Sequence, residues 1–173
     1  MKKIKSSLKR ISEKPLKPEY FDAKGVIKLL MQDHKALKKL MKVIKSQKSS
    51  DALIEKSFLK LKATVKSHVH AEEKSLLRPL INHPRFEDEV REGYEEHRVH
   101  EYIFSGIAKV SDKKRKIEQI KIYCEVLEHH LEEEENDLFP KVRKYIAKST
   151  RQKMGVAFTK RRKETTGKYA KRI

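Results

Sequence analysis

Four histidines and two glutamates recur in one pattern written twice: a lone His, then His-x-x-x-Glu. The first copy is His34, then His68 and Glu72, and the second is His97, then His130 and Glu134. The lone His precedes its block by 34 residues in the first copy and by 33 in the second. Each Glu opens a related stretch, Glu72 leading to Leu76, Leu77 and Pro79, and Glu134 leading to Leu138, Phe139 and Pro140. Imidazole and carboxylate donors repeated across four helices are what a two-metal site inside a helix bundle requires.

The elements that must carry these donors read as four helices. Gly and Pro are scarce, five of each, and no strand alternation stands out. Helix one, about 23–47, has the stripe Ile27, Leu30, His34, Leu37, Met41 and Ile44, spaced as a heptad seam. Helix two, about 51–80, has Leu61, Val65, His68, Glu72 and Leu76, with Pro79 marking its end. Helix three, about 87–109, has Val90, Tyr94, His97, Glu101, Phe104 and Ala108. Helix four, about 112–146, has Ile120, Tyr123, Leu127, His130, Glu134 and Leu138. Each candidate ligand thus takes a seam position that would otherwise hold a leucine.

Helical phase separates neighbours. His129 sits one residue, about 100°, from the seam that His130 occupies. By the same reasoning His70, His83 and His100 fall outside the expected donor set. Ser75 and Asp137 are candidates to support the ligands, although their phase gives little help. Burying Glu72 and Glu134 without cations would cost several kcal/mol each, and a pair of metal ions offsets that cost.

The net charge of +18 is unevenly placed. Residues 1–24 carry 8 Lys/Arg against 3 Asp/Glu, residues 141–173 carry 13 against 1, and residues 25–140 carry 22 against 21. The expected organisation is therefore a basic N-terminal arm (1–22), a nearly neutral bundle (23–146) and a basic C-terminal tail (147–173). Such ends either bind a polyanion, nucleic acid included, or serve as solvated tails; Lys160, Arg161, Arg162 and Lys163 are the densest cluster. A lone Cys124 excludes an internal disulfide and suits a reducing compartment. It reads as a small buried residue rather than a catalytic thiol. No 18-residue apolar run and no secretory h-region are present, so the expected address is cytoplasmic, with no membrane partner.

Taken together, His34 within Gln32-Asp33-His34, the His68/Glu72 block, Glu95-Glu96-His97 and the His130/Glu134 block with Leu138-Phe139-Pro140 resemble the hemerythrin-like family, the HHE cation-binding group. The resemblance covers roughly 23–146. It implies an all-α, antiparallel up-down four-helix bundle with basic extensions, holding two non-haem iron ions joined by an oxo or hydroxo bridge. It further implies that Glu72 and Glu134 bridge the ions, with His34 and His68 on one and His97 and His130 on the other. Imidazole plus carboxylate suits iron, or manganese as the alternative, and the lack of thiolates argues against structural zinc. The oxygen carriers of the family have His-x-x-x-His on the third helix, whereas here Glu101 stands four residues after His97. Glu101 is accordingly expected either as a seventh ligand or as a group that orients a ligand His. Tyr94 is in better phase than Tyr102 to approach the site, as a core tyrosine.

The resulting expectation is a protein that binds or senses O2, peroxide, or iron and redox state. A catalase-like or peroxidase-like enzyme on the same metals, and a basic-tailed nucleic-acid-associated protein, are the alternatives. No Ser- or Cys-based triad accompanies the pattern.

Overall fold

The structure, a computed structural model, describes residues 25–170, with side chains through Thr165. The expected N-terminal arm lies outside the described residues. Helix α1 spans Val26–Lys45. Helix α2 spans Asp51–Glu72 and begins at Ser50, whose hydroxyl accepts from the Leu53 amide. It runs through a π-helical turn at Glu73–Leu77 into a last short piece, Arg78–Leu80. Helix α3 spans Glu87–Ala108 and opens with Glu87, Asp88 and Glu89, acids placed against the positive end of the helix dipole. Helix α4 spans Lys113–Glu133, is capped by Asp112 accepting from the Arg115 amide, and passes through a second π turn at Glu134–Leu138 into Phe139–Tyr145. Helix α5 spans Lys148–Ala170. Among the described residues there is no strand, and no helix is long and apolar enough to cross a membrane.

The helices pack as a bundle, with α1 against α2 and α4, and α3 against α4. The expected seams of helices one and four are buried throughout. On α3 the buried line is instead Val90, Gly93, His97, His100, Phe104 and Ile107, which leaves Glu101 and Ala108 exposed. Gly93 lies on this line close against Leu77, where a β-carbon would stand 3.3 Å from Leu77 Cδ1. Helix two ends at Leu80, one residue after Pro79, as expected; the π turn before it, which the spacing does not announce, leaves Leu80 buried and Pro79 outside.

Two apolar clusters sandwich the donor layer. One gathers Leu30, Leu76, Leu77, Val90, Phe139 and Phe158 among others, and the second includes Leu37, Leu61, Val65, Phe104, Tyr123 and Leu127. Phe158 belongs to α5, so the C-terminal segment is no free tail. Helix α5 packs on α2, on α1 and on the first π turn, burying Met154, Phe158, Arg151 and Thr165. The Arg151 guanidinium donates to the carbonyls of Arg143 and Ile146, satisfying the end of the preceding helix where the chain turns.

Phe158→Ala should lower stability by about 3–5 kcal/mol. Val156→Ala on the same helix, where Val156 is 72% exposed, should change it by no more than about 0.5 kcal/mol. Urea unfolding of the two variants measures the contrast; equal small effects would mean that α5 is not part of the core.

Candidate metal centre

The structure brings His34, His68, Glu72, His97, His130 and Glu134 together in the layer between the two apolar clusters, each at most 5% exposed. Glu134 faces two imidazoles from opposite halves of the repeat: Oε2 lies 3.1 Å from His34 Nε2 and Oε1 lies 3.7 Å from His130 Nε2. Glu72 mirrors it, with Oε2 3.4 Å from His68 Nε2 and 3.8 Å from His97 Nε2. The imidazoles pair across the site, His34 with His68 at 5.1 Å between ring centroids and His97 with His130 at 5.2 Å. Two three-donor groups able to hold a metal ion result, His34/His68/Glu134 and His97/His130/Glu134, and Glu134 belongs to both.

The outer nitrogen of every one of these imidazoles meets a carboxylate. His34 Nδ1 lies 2.9 Å from Glu135, His68 Nδ1 3.3 Å from Asp33, His97 Nδ1 3.0 Å from Glu73, and His130 Nδ1 2.7 Å from Glu96. With its Nδ1 hydrogen donated to the outer carboxylate, a neutral imidazole is left with its Nε2 lone pair toward the interior, the tautomer a metal ligand needs. The pairing forms a ring: α1 supports α2, α2 supports α3, α3 supports α4, and α4 supports α1. Burial pushes Asp33, Glu96 and Glu135 toward neutrality, but their partners hold each below the usual carboxylate range: His68 and Arg162 for Asp33, His130 for Glu96, Lys38 and His34 for Glu135.

Inside the ring the balance is different. Burial, and then the negative charge of Glu134, hold the Glu72 carboxyl well above its ordinary value. Burial acts in the same direction on Glu134, but His130, His34 and His68 outweigh it and keep that carboxylate ionised. Burial pushes the His68 imidazole down to about 4. Apart from their contacts with one another, the Nε2 atoms of His34, His68, His97 and His130, both Glu72 oxygens and Glu134 Oε2 make no well-formed hydrogen bond among the described residues. Buried polar atoms without well-formed hydrogen bonds are costly, and so many converging on one spot fit bound metal cations.

Glu101 is not brought to this site. Its side chain is 54% exposed and its carboxylate lies 2.6 Å from Lys66 Nζ. His100, expected outside, is buried instead, its ring 4.9 Å from His130 and 6.5 Å from His97, with both nitrogens unpartnered. The signal that could have found it is Ile107: a seam through His100 reaches Ile107, whereas the seam through Glu101 reaches the weaker Ala108. His129 is placed as expected, its side chain 74% exposed beside Glu133. Neither His70 nor His83 is buried. Ser75 is buried but donates to the Ala71 carbonyl, and Asp137 is exposed, so neither hydrogen-bonds a donor. Tyr94 packs against the apolar cluster that holds Phe139 and Phe158, and Tyr102 is 81% exposed.

An all-helical bundle enclosing paired His/Glu donor groups is the mark of a cation-binding helical protein. The chain matches the Hemerythrin HHE cation binding domain over residues 25–142, and it belongs to that family. No curated protein and no solved structure matches it.

Cys124 is fully buried away from the donors, and burial pushes its thiol up to about 12. The thiolate is the reactive form, so alkylation by iodoacetamide should be blocked in the native protein and rapid in denaturant. Rapid native labelling would place Cys124 outside the core.

Proposed function

We propose that the chain is a non-haem di-iron protein, an antiparallel four-helix bundle in which Glu72 and Glu134 would supply the carboxylates between two ions. His34 and His68 would hold one ion, and His97 and His130 the other. The observation that carries this reading is the membership of Glu134 in both donor groups, each completed by an imidazole pair. Manganese fits the same donors. Glu101 is left out of the set because it pairs with Lys66; His100 is the further nitrogen donor that α3 brings alongside.

When bound, such a pair of irons supplies electrons and an open coordination position to a small ligand such as O2 or peroxide. The chain's own part is to aim four imidazoles inward, keep two carboxylates between them and exclude bulk water with apolar layers above and below. A cavity of about 320 Å³ between α2 and α3 reaches His97 and His100 and is rimmed by Lys66, His70 and Arg98. It is the route by which a small ligand would approach. Binding or sensing of such a ligand, or of iron and redox state, is the function this arrangement supports best. Peroxide turnover on the same donors is the enzymatic alternative. The exposed Lys160, Arg161 and Lys163 of α5 would add a salt-sensitive attraction for a polyanion such as nucleic acid.

Elemental analysis of the purified chain should find about two irons, and reduction followed by O2 or peroxide should change its charge-transfer absorption. Glu134→Ala should lose the metal, while His129→Ala and Glu101→Ala should retain it. A chain that stays metal-free after reconstitution with ferrous iron would overturn the reading. Rapid O2 release from the reduced protein would mark a binding or sensing module; sustained peroxide consumption would mark an enzyme.

A further inference from the structure

Helix α5 lies beyond the residues that match the family, yet it reaches the donor layer at one point. Arg162 Nε lies 2.7 Å from Asp33 Oδ2 and its terminal nitrogen 3.1 Å from Asp33 Oδ1, a two-pronged grip on both carboxylate oxygens. The Asp33 oxygen that takes Nε is also the one that His68 Nδ1 meets. Resting on the metal-centre reading, we infer that Arg162 is a positioning residue of that centre. It fixes Asp33, and Asp33 fixes the His68 imidazole.

The geometry explains why His68 needs this help. Of the four outer carboxylates, Asp33 alone is an aspartate, one methylene shorter than Glu73, Glu96 and Glu135. Its contact to the imidazole, 3.3 Å, is also the longest of the four. A short side chain reaching across from α1 to α2 has little slack, and the guanidinium fork removes what freedom remains. The other supports are built differently. Glu135 is met by a single ammonium, Lys38 Nζ at 2.8 Å, and among the described residues no lysine or arginine pairs with Glu73 or Glu96. The two halves of the repeat are therefore inequivalent in how their imidazoles are held.

Two more contacts from α5 fall on this histidine or on its chain neighbour. The Phe158 ring stands edge-on to His68, 6.4 Å between centroids. Thr165 and Ser67, next to His68 in sequence, share a buried hydroxyl–hydroxyl contact of 2.6 Å. The densest basic run of the sequence thus does two things at once, since Lys160, Arg161 and Lys163 face solvent while Arg162 turns inward.

Anaerobic titration of the whole chain with Co(II), read by its visible absorption, tests the inference without reference to activity. The wild-type chain should take up two equivalents. In Arg162→Gln one equivalent should bind about 10–100-fold more weakly, the range typical for loss of a group that orients a ligand, and the other should be unchanged. Asp33→Asn should reproduce the defect, and the double variant should be no worse than either single one, because both act through one link. Arg162→Lys, which keeps the charge and loses the fork, should fall between. Thr165→Val removes the hydroxyl contact of α5 and leaves the Asp33 grip, so it should bind both equivalents normally. If Arg162→Gln does not fold, Asp33→Asn and Arg162→Lys carry the same test. Wild-type affinities in Arg162→Gln, an equal loss in Thr165→Val, or additive losses in the double variant would each overturn the role of Arg162 alone. A wild-type chain that takes up no cobalt would overturn the metal-centre reading and this inference with it.

Discussion

An imidazole buried in an apolar core can turn either nitrogen inward, and in this bundle a carboxylate on the neighbouring helix decides. Asp33, Glu73, Glu96 and Glu135 each take one Nδ1, and together they tie the four helices into a closed circuit. Every member of that circuit is the chain neighbour of an inward donor: Asp33 beside His34, Glu73 beside Glu72, Glu96 beside His97, Glu135 beside Glu134. A step of about 100° per residue is enough to send one side chain to the centre and the next to an adjacent helix. The same short stretches of sequence therefore build both the donors and the supports that orient them.

The two glutamate ends obtain this economy through a break in helical regularity. Each π turn follows or begins at an inward Glu, and each is followed within one or two residues by a proline, Pro79 or Pro140. Proline lacks the N–H that an unbroken α-ladder would use, and a π turn is a place where that ladder is already re-registered. The wider turn then swings Leu76, Leu77, Leu138 and Phe139 into the apolar layer beside the donors.

Most of the frame was legible in the sequence because the seams of α1 and α4 repeat without interruption, and because His34, His68, Glu72, His97, His130 and Glu134 stand where leucines would. The third seam was not. Val90, His97 and Phe104 are common to two possible lines down α3, and the one through Gly93, His100 and Ile107 is buried while Glu101 and Ala108 stay exposed. The π turns hid behind prolines that elsewhere end helices. The outer carboxylates were equally hidden, since a charged residue beside a ligand looks like ordinary solvated surface until the neighbouring helix is in place. The C-terminal segment misled through composition: its lysines and arginines dominate the count, while Met154 and Phe158, the residues that dock it, are few.

The circuit also bears on the order of assembly. His34 meets Glu135 across 101 residues, and Arg162 meets Asp33 across 129. His97 and Glu73, by contrast, are only 24 apart. Long loops cost more entropy to close, and contacts of high sequence separation slow folding. The α2–α3 side of the layer is therefore expected to form early, as a local hairpin of helices. Closure of α1 onto α4 follows, and the seating of α5 over His68 comes last.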